Sequence, residues 1–170
     1  MFWCALVAAV ATILYSTPPA YLKGRGFWAN ITIALPRGAL LKVAGWGAVA
    51  SALGEPEAWL IGGVFMLFLL GATSTKDFAD AEGDRAAGCE TLVVRYGPER
   101  VVRWIAPSFV LPWLLLAAGL WLPHPFAEGP WIRASAAPML ALVATLVAYG
   151  TFTIRLLARD PAAAAADSNH

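Results

Sequence analysis

The sequence predicts an all-α, polytopic transmembrane helical bundle of four to five membrane spans. Composition is the first reason. Of the 170 residues, 59% are hydrophobic and 14% charged, with mean hydropathy +0.65. A soluble domain carries roughly 25% charged residues, and one this small must cover most of its surface with polar groups. The second reason is that four apolar stretches reach or approach the roughly 20 residues that cross a bilayer. The third is that basic residues gather in alternate loops. The same composition excludes other classes. The apolar load excludes disorder. A net charge of +1 lacks the basic excess of a nucleic-acid binder. Two cysteines, Cys4 and Cys89, form neither a disulfide scaffold nor a metal-ligand spacing.

Along the chain, residues 2–15 are apolar but short. A cleaved signal peptide has a basic start and a small-residue site. Here the chain starts Met1-Phe2-Trp3 and continues into Tyr15-Ser16-Thr17-Pro18-Pro19. The stretch reads as the later part of a helix. Residues 29–53 form the next span, with Arg37 and Lys42 inside it and Pro36 placed to break it near a cavity. Residues 58–74 and 134–154 hold no charge, and 101–122 hold only Arg103. Prolines 107, 112 and 138 are expected to kink their helices. Trp28, Trp59, Trp104, Trp121 and Trp131 fall near span ends, as an aromatic belt would. No internal repeat divides the chain. It reads as one transmembrane region over 1–170 with a short polar tail at 160–170.

Orientation follows from charge. The loops at 16–28, 75–103 and 155–160 hold nine of the 12 basic residues, and those at 54–57 and 123–133 hold only Arg133. Lys and Arg concentrate on the cytoplasmic side. The first set is therefore assigned to the cytoplasmic face of the cytoplasmic membrane. This placement argues against glycosylation at the Asn30-Ile31-Thr32 sequon and leaves His124 in an inert outer loop.

The chemistry concentrates after residue 74. On a helix at 100° per residue, Asp77, Asp80 and Asp84 share an arc of about 60°, and Glu82 points away. Three carboxylates on one face repel unless a cation sits among them. Oxygen-only ligands suit a hard cation such as Mg²⁺, which takes one or two carboxylates plus substrate phosphates. Lys76 and Arg85 flank the stripe and suit a phosphate. The alternative is a solvated acidic helix end. Arg37 is an ionisable group within a span, which is by default a functional candidate. It is read as cavity-facing and substrate-binding, against the alternative that it snorkels from a helix end. Lys42 is left open.

Lys-Asp-x-x-Asp-x-Glu-Gly-Asp-Arg-x-x-Gly-x-x-Thr-Leu, from Lys76 to Leu92 and closed by Arg95-Tyr96-Gly97, resembles the second Asp-rich motif of the UbiA-type membrane prenyltransferases. Tyr15-Ser16-Thr17-Pro18-Pro19-x-x-Leu22-Lys23-x-x-Gly26-x-x-x-Asn30 resembles the loop before that family's fifth helix. The two motifs begin about 60 residues apart with two spans between them. The branch with chlorophyll synthase and homogentisate prenyltransferase-like members is the most similar. The likeness covers roughly residues 10–100, and beyond that it is hydropathy alone. The family's first acidic motif, Asn-Asp-x-x-Asp-x-x-x-Asp, does not occur in these 170 residues. The chain resembles helices four to eight of the family's nine.

The resemblance implies a Mg²⁺-dependent transfer of a prenyl group from a prenyl diphosphate to a lipophilic acceptor, aromatic or alcohol, through an allylic carbocation. It implies Asp77, Asp80 and Asp84 as metal-binding and catalytic residues. Lys23, Arg25, Lys76 and Arg85 become diphosphate clamps, with Lys23 foremost. Tyr15 and Ser16 line the cavity near the cation, and Asn30 faces the diphosphate. Membrane lipid and an N-terminal half carrying the first motif are the implied partners. Two other readings compete with this one. A CDP-alcohol phosphotransferase needs Asp-x-x-Asp-Gly-x-x-Ala-Arg and two later aspartates, but Ala81 follows Asp80 and only Asp84 comes after. A non-catalytic membrane fragment or small cation-handling membrane protein is favoured by the missing first motif.

Overall fold

The computed structural model of the protein describes residues 2–125 and 128–161. Of the polar tail, only Asp160 and Pro161 lie within the described residues. The described residues hold helices and two isolated bridges, with no strand. The order is α1 (Phe2–Ser16), α2 (Phe27–Ala34), a π-helical turn (Leu35–Leu40), α3 (Leu41–Trp46), α4 (Pro56–Ala72), α5 (Thr75–Ala79), α6 (Ala81–Ala86), α7 (Leu92–Tyr96), α8 (Pro98–Ile105), a 3₁₀ turn (Ala106–Phe109), α9 (Leu111–Ala118) and α10 (Ala136–Arg159).

Three helices are long and apolar enough to cross a membrane: Pro56–Ala79, Pro98–Ala118 and Ala136–Arg159. Of the two other apolar stretches, the first is as short as the sequence reading has it and the second differs from that reading. Helix α1 has 15 residues, about 22 Å at 1.5 Å per residue against a hydrocarbon core near 30 Å. The stretch 29–53 is helical only as far as Trp46 and is interrupted by the π turn at Leu35–Leu40. Pro36 explains the π turn. It offers no N–H to the carbonyl four residues back, and its ring crowds that carbonyl, so the backbone widens by one residue.

Helix α4 stands at the centre and packs on α2, the π turn, α3, the 3₁₀ turn and α9. Water supplies little force between helices inside a membrane, so close contact through small residues carries the packing. Gly38 of the π turn lies so near α4 that an added methyl would overlap the Met66 backbone. Gly150 of α10 stands equally close to Phe109, and Gly71 of α4 to Ser108. The larger side chains form two apolar clusters. Phe78, Leu92, Val101, Val102, Ile105 and Phe109 fill one, with Ile154 and Leu157 of α10 against it. Val64, Trp113, Leu116, Ile132 and Val143 fill the other.

The proline expectations divide. Pro107 lies in the 3₁₀ turn and Pro112 begins α9, so Pro98–Ala118 is interrupted there. Pro138 does not kink α10, which runs unbroken from Ala136. It occupies the first turn, where its missing N–H has no carbonyl to meet. At the end opposite α5, Arg133 pairs with Glu55 at 3.3 Å, tying the loops 54–57 and 123–133 together.

Candidate functional site: a carboxylate–lysine pocket

Two loops build the site, and both belong to the motifs singled out in the sequence. Arg25 and Glu90 form an isolated parallel bridge, and the Glu90 N–H donates to Gly24 O at 3.2 Å. This joins the 22–26 segment to the 88–91 segment. Gly26 makes the join possible. Its φ is +52°, and an added Cβ would stand 3.3 Å from Glu90 O. Neither condition suits a residue with a side chain.

Helix α5 divides its side chains between core and site. Phe78 is fully buried in the apolar cluster, and its neighbour Asp77 lines a polar pocket. The pocket gathers Tyr15 from α1, Lys23 from the first loop, Asn30 from α2, Lys76 and Asp77 from α5, Asp84 from α6, and Thr91. Lys76 Nζ donates to Asp77 Oδ1 at 2.6 Å, with the Asp77 side chain almost wholly buried. Asn30 is buried and donates from Nδ2 to Leu70 O at 2.8 Å and to Ser74 Oγ at 2.7 Å. Its amide N–H groups fasten α2 to the end of α4, and it lines the pocket in that pose. Two buried oxygens of the pocket, Asp84 Oδ2 and Thr91 Oγ1, have no hydrogen-bond partner among the described residues.

The expected stripe of three carboxylates is altered. Asp80 ends α5 and begins α6 with φ −94° and ψ 4°, a bend in the helical path. Asp77 and Asp84 both reach the pocket across that bend. Asp80 is exposed on its outer side. Glu82 is also exposed, as the helix-face argument requires. Among the described residues no three His, Cys, Asp or Glu side chains stand close enough to hold a metal ion.

Other expected residues stand off the pocket. Ser16 ends α1 and is exposed, as is Arg85. Arg25 lies in the neighbouring groove of about 460 Å³, which it lines with Arg95, Trp28 and Trp104. It also donates to Pro19 O at 3.3 Å. Arg37 is exposed on the π turn. Lys42 sits 4.8 Å from the Phe65 ring centroid, a cation–π contact. Thr91 carried no assigned role in the sequence reading. Its only signal there was its place in the second motif.

A hard cation fits what is present. The donors are oxygens, one carboxylate oxygen is buried without a partner, and the enclosed space of about 10 Å³ admits one water-sized particle. Asp77 and Asp84 are the residues that would hold Mg²⁺.

Helices of membrane-spanning length, with a polar pocket of carboxylates and lysines at one end, define an integral membrane protein. The UbiA prenyltransferase family matches residues 1–167, and the chain belongs to that family. Relatives include the chloroplastic chlorophyll synthase of Arabidopsis thaliana, 28% identical over 165 residues, covering 95% of this chain and 38% of that protein. The bacteriochlorophyll synthase 33 kDa chain of Cereibacter sphaeroides is 29% identical over 164 residues, covering 95% and 50%. The digeranylgeranylglyceryl phosphate synthase of Methanoregula boonei is 34% identical over 97 residues, covering 55% and 32%. The chain thus spans half or less of the length of these relatives. No solved structure matches it.

Proposed function

We propose that these residues form half of the active site of a Mg²⁺-dependent membrane prenyltransferase, which moves a prenyl group from a prenyl diphosphate to a lipophilic aromatic or alcohol acceptor. One observation carries the reading: Asp77, Asp84, Lys23 and Lys76 come from two separate motifs and line one pocket. Bound at Asp77 and Asp84, Mg²⁺ would offset the negative charge that grows on the leaving diphosphate. Lys23 is exposed at the pocket and pairs with no carboxylate among the described residues, so its ammonium meets the diphosphate oxygens directly. Lys76 holds Asp77 in place. Tyr15, which lines the same pocket, would stand near the allylic carbon. The C–O bond to diphosphate breaks with its electron pair leaving on the diphosphate, a bond from acceptor to the allylic carbon forms, and the acceptor's proton passes to the departing diphosphate or to water.

One Mg²⁺ on two carboxylates, with two lysines, would leave part of the diphosphate's negative charge uncompensated, so further metal ligands are needed. A second acidic motif of the form Asn-Asp-x-x-Asp-x-x-x-Asp, on a segment outside this sequence, completes the site in this reading. The site opens on the cytoplasmic side, where the basic loops lie. The test is transfer of labelled geranylgeranyl diphosphate to a panel of aromatic and alcohol acceptors by the chain in detergent with Mg²⁺. Transfer is expected only when a segment carrying the first motif is co-expressed. Robust turnover by the chain alone would overturn the half-site reading. No transfer in the co-expressed pair, with every acceptor, would overturn the enzyme reading.

A further inference from the structure

Thr91 occupies the N-cap position of α7, with φ −63° and ψ 165° before Leu92. A threonine there ordinarily turns its hydroxyl back to accept an N–H of the first turn, worth about 1 kcal/mol. Thr91 makes no such bond. It is 7% exposed, its Oγ1 has no partner, and it lines the pocket with Asp77 and Asp84. A buried hydroxyl left unpaired costs roughly 1–3 kcal/mol. The backbone holds it there: Thr91 O accepts from the Arg95 N–H at 3.0 Å, and Leu92 and Val93 are anchored in the core. The chain forgoes both a cap and a partner at this hydroxyl, which is the signature of an atom kept for something bound.

We propose that Thr91 Oγ1 is a direct ligand of the divalent cation held by Asp77 and Asp84, and takes the place that an unbent stripe would give to Asp80. The inference rests on the metal reading of the pocket given above. A neutral hydroxyl adds a hard oxygen without adding repulsion to two carboxylates. Threonine or serine hydroxyls serve Mg²⁺ in this way in phosphate-binding loops. Three protein oxygens leave the rest of an octahedral shell to water and diphosphate oxygens.

The experiment is Mn²⁺ titration of the purified chain in detergent, followed by electron paramagnetic resonance, without diphosphate. Wild type, Thr91→Val, Thr91→Ser and Asp84→Asn are compared, together with their metal-free thermal unfolding. Thr91→Val is expected to weaken Mn²⁺ binding about three- to tenfold, the worth of one lost oxygen contact. Thr91→Ser should bind like wild type, and Asp84→Asn should lose binding. Metal-free Thr91→Val should unfold no lower than wild type, because its buried hydroxyl had no partner to lose. Equal Mn²⁺ affinity for wild type and Thr91→Val would overturn the proposal. So would a difference that emerges only when inorganic pyrophosphate is added, since the hydroxyl would then serve the anion. If wild type itself binds no Mn²⁺ while co-expressed transfer proceeds, the ligand proposal fails and the enzyme reading stands.

Discussion

Asn30 and Asp84 show how single residues divide the labour of the pocket. Asn30 uses its amide N–H groups on α4, at Leu70 O and Ser74 Oγ. Replacing it with Leu leaves a buried carbonyl and a buried hydroxyl without that donor. Asn30→Leu is expected to destabilise the chain by about 2–3 kcal/mol, measured by denaturant unfolding in detergent. Asp84 has the opposite character, since its Oδ2 is buried without a partner. In the co-expressed enzyme Asp84→Asn should lower kcat/KM by about 100-fold, near 3 kcal/mol of transition-state stabilisation. Glu82→Gln, at an exposed position across the helix, should stay within about threefold. Equal losses at positions 84 and 82 would refute the pocket as the site.

At the scale of elements, the bundle depends on glycines where helix backbones nearly touch. An added methyl at Gly38 would overlap Met66 backbone, whereas one at Gly63 on α4 would meet open space. Gly38→Ala is expected to destabilise by about 2 kcal/mol or more, because the neighbour is backbone and must move as a whole. Gly63→Ala should be neutral or stabilising by up to about 1 kcal/mol from helix propensity. Thermal unfolding of the two variants side by side checks this. The bend at Asp80 also belongs to this scale. The Asp84 N–H still donates to Asp80 O at 2.8 Å, so the helical path continues. The bend turns Asp80 out while Asp77 and Asp84, seven residues apart, stay together.

At the scale of the molecule, the loops sort to two ends. Tyr15 and Lys23 meet Lys76, Asp77 and Asp84 at one end, and Glu55 meets Arg133 at the other. The packing of Ile154 and Leu157 on the Phe78 cluster brings the end of α10 to the first end. The basic bias of the loops then predicts sidedness. Single cysteines at positions 23, 80 and 159 should react with a membrane-impermeant thiol reagent from the cytoplasmic side, and those at 55 and 124 from the other. Labelling of 23 and 80 from opposite sides would sink both the topology and the shared site.

Composition and loop charge by themselves determined the membrane class and the sorting of loops, because burial in lipid and the placement of lysine and arginine act on whole stretches whatever their partners. Helical spacing put Asp77 and Asp84 on one face, since a helix repeats its face every three to four residues, and the resemblance of the two motifs to the family's implied Tyr15 and Lys23 at the same site. Contacts between distant segments decided the rest. Whether Asp80 faces in or out depends on a bend of φ and ψ at one residue, which periodicity treats as regular helix. The shortened helix before Gly47 depends on how Pro36 and Gly38 fit against α4. The part given to Thr91 depends on a hydroxyl that makes no cap bond to its own helix and lines a pocket with residues brought from elsewhere in the chain. Local preference would have made it a cap, and only the tertiary fold, by burying it beside two carboxylates, set it to another use.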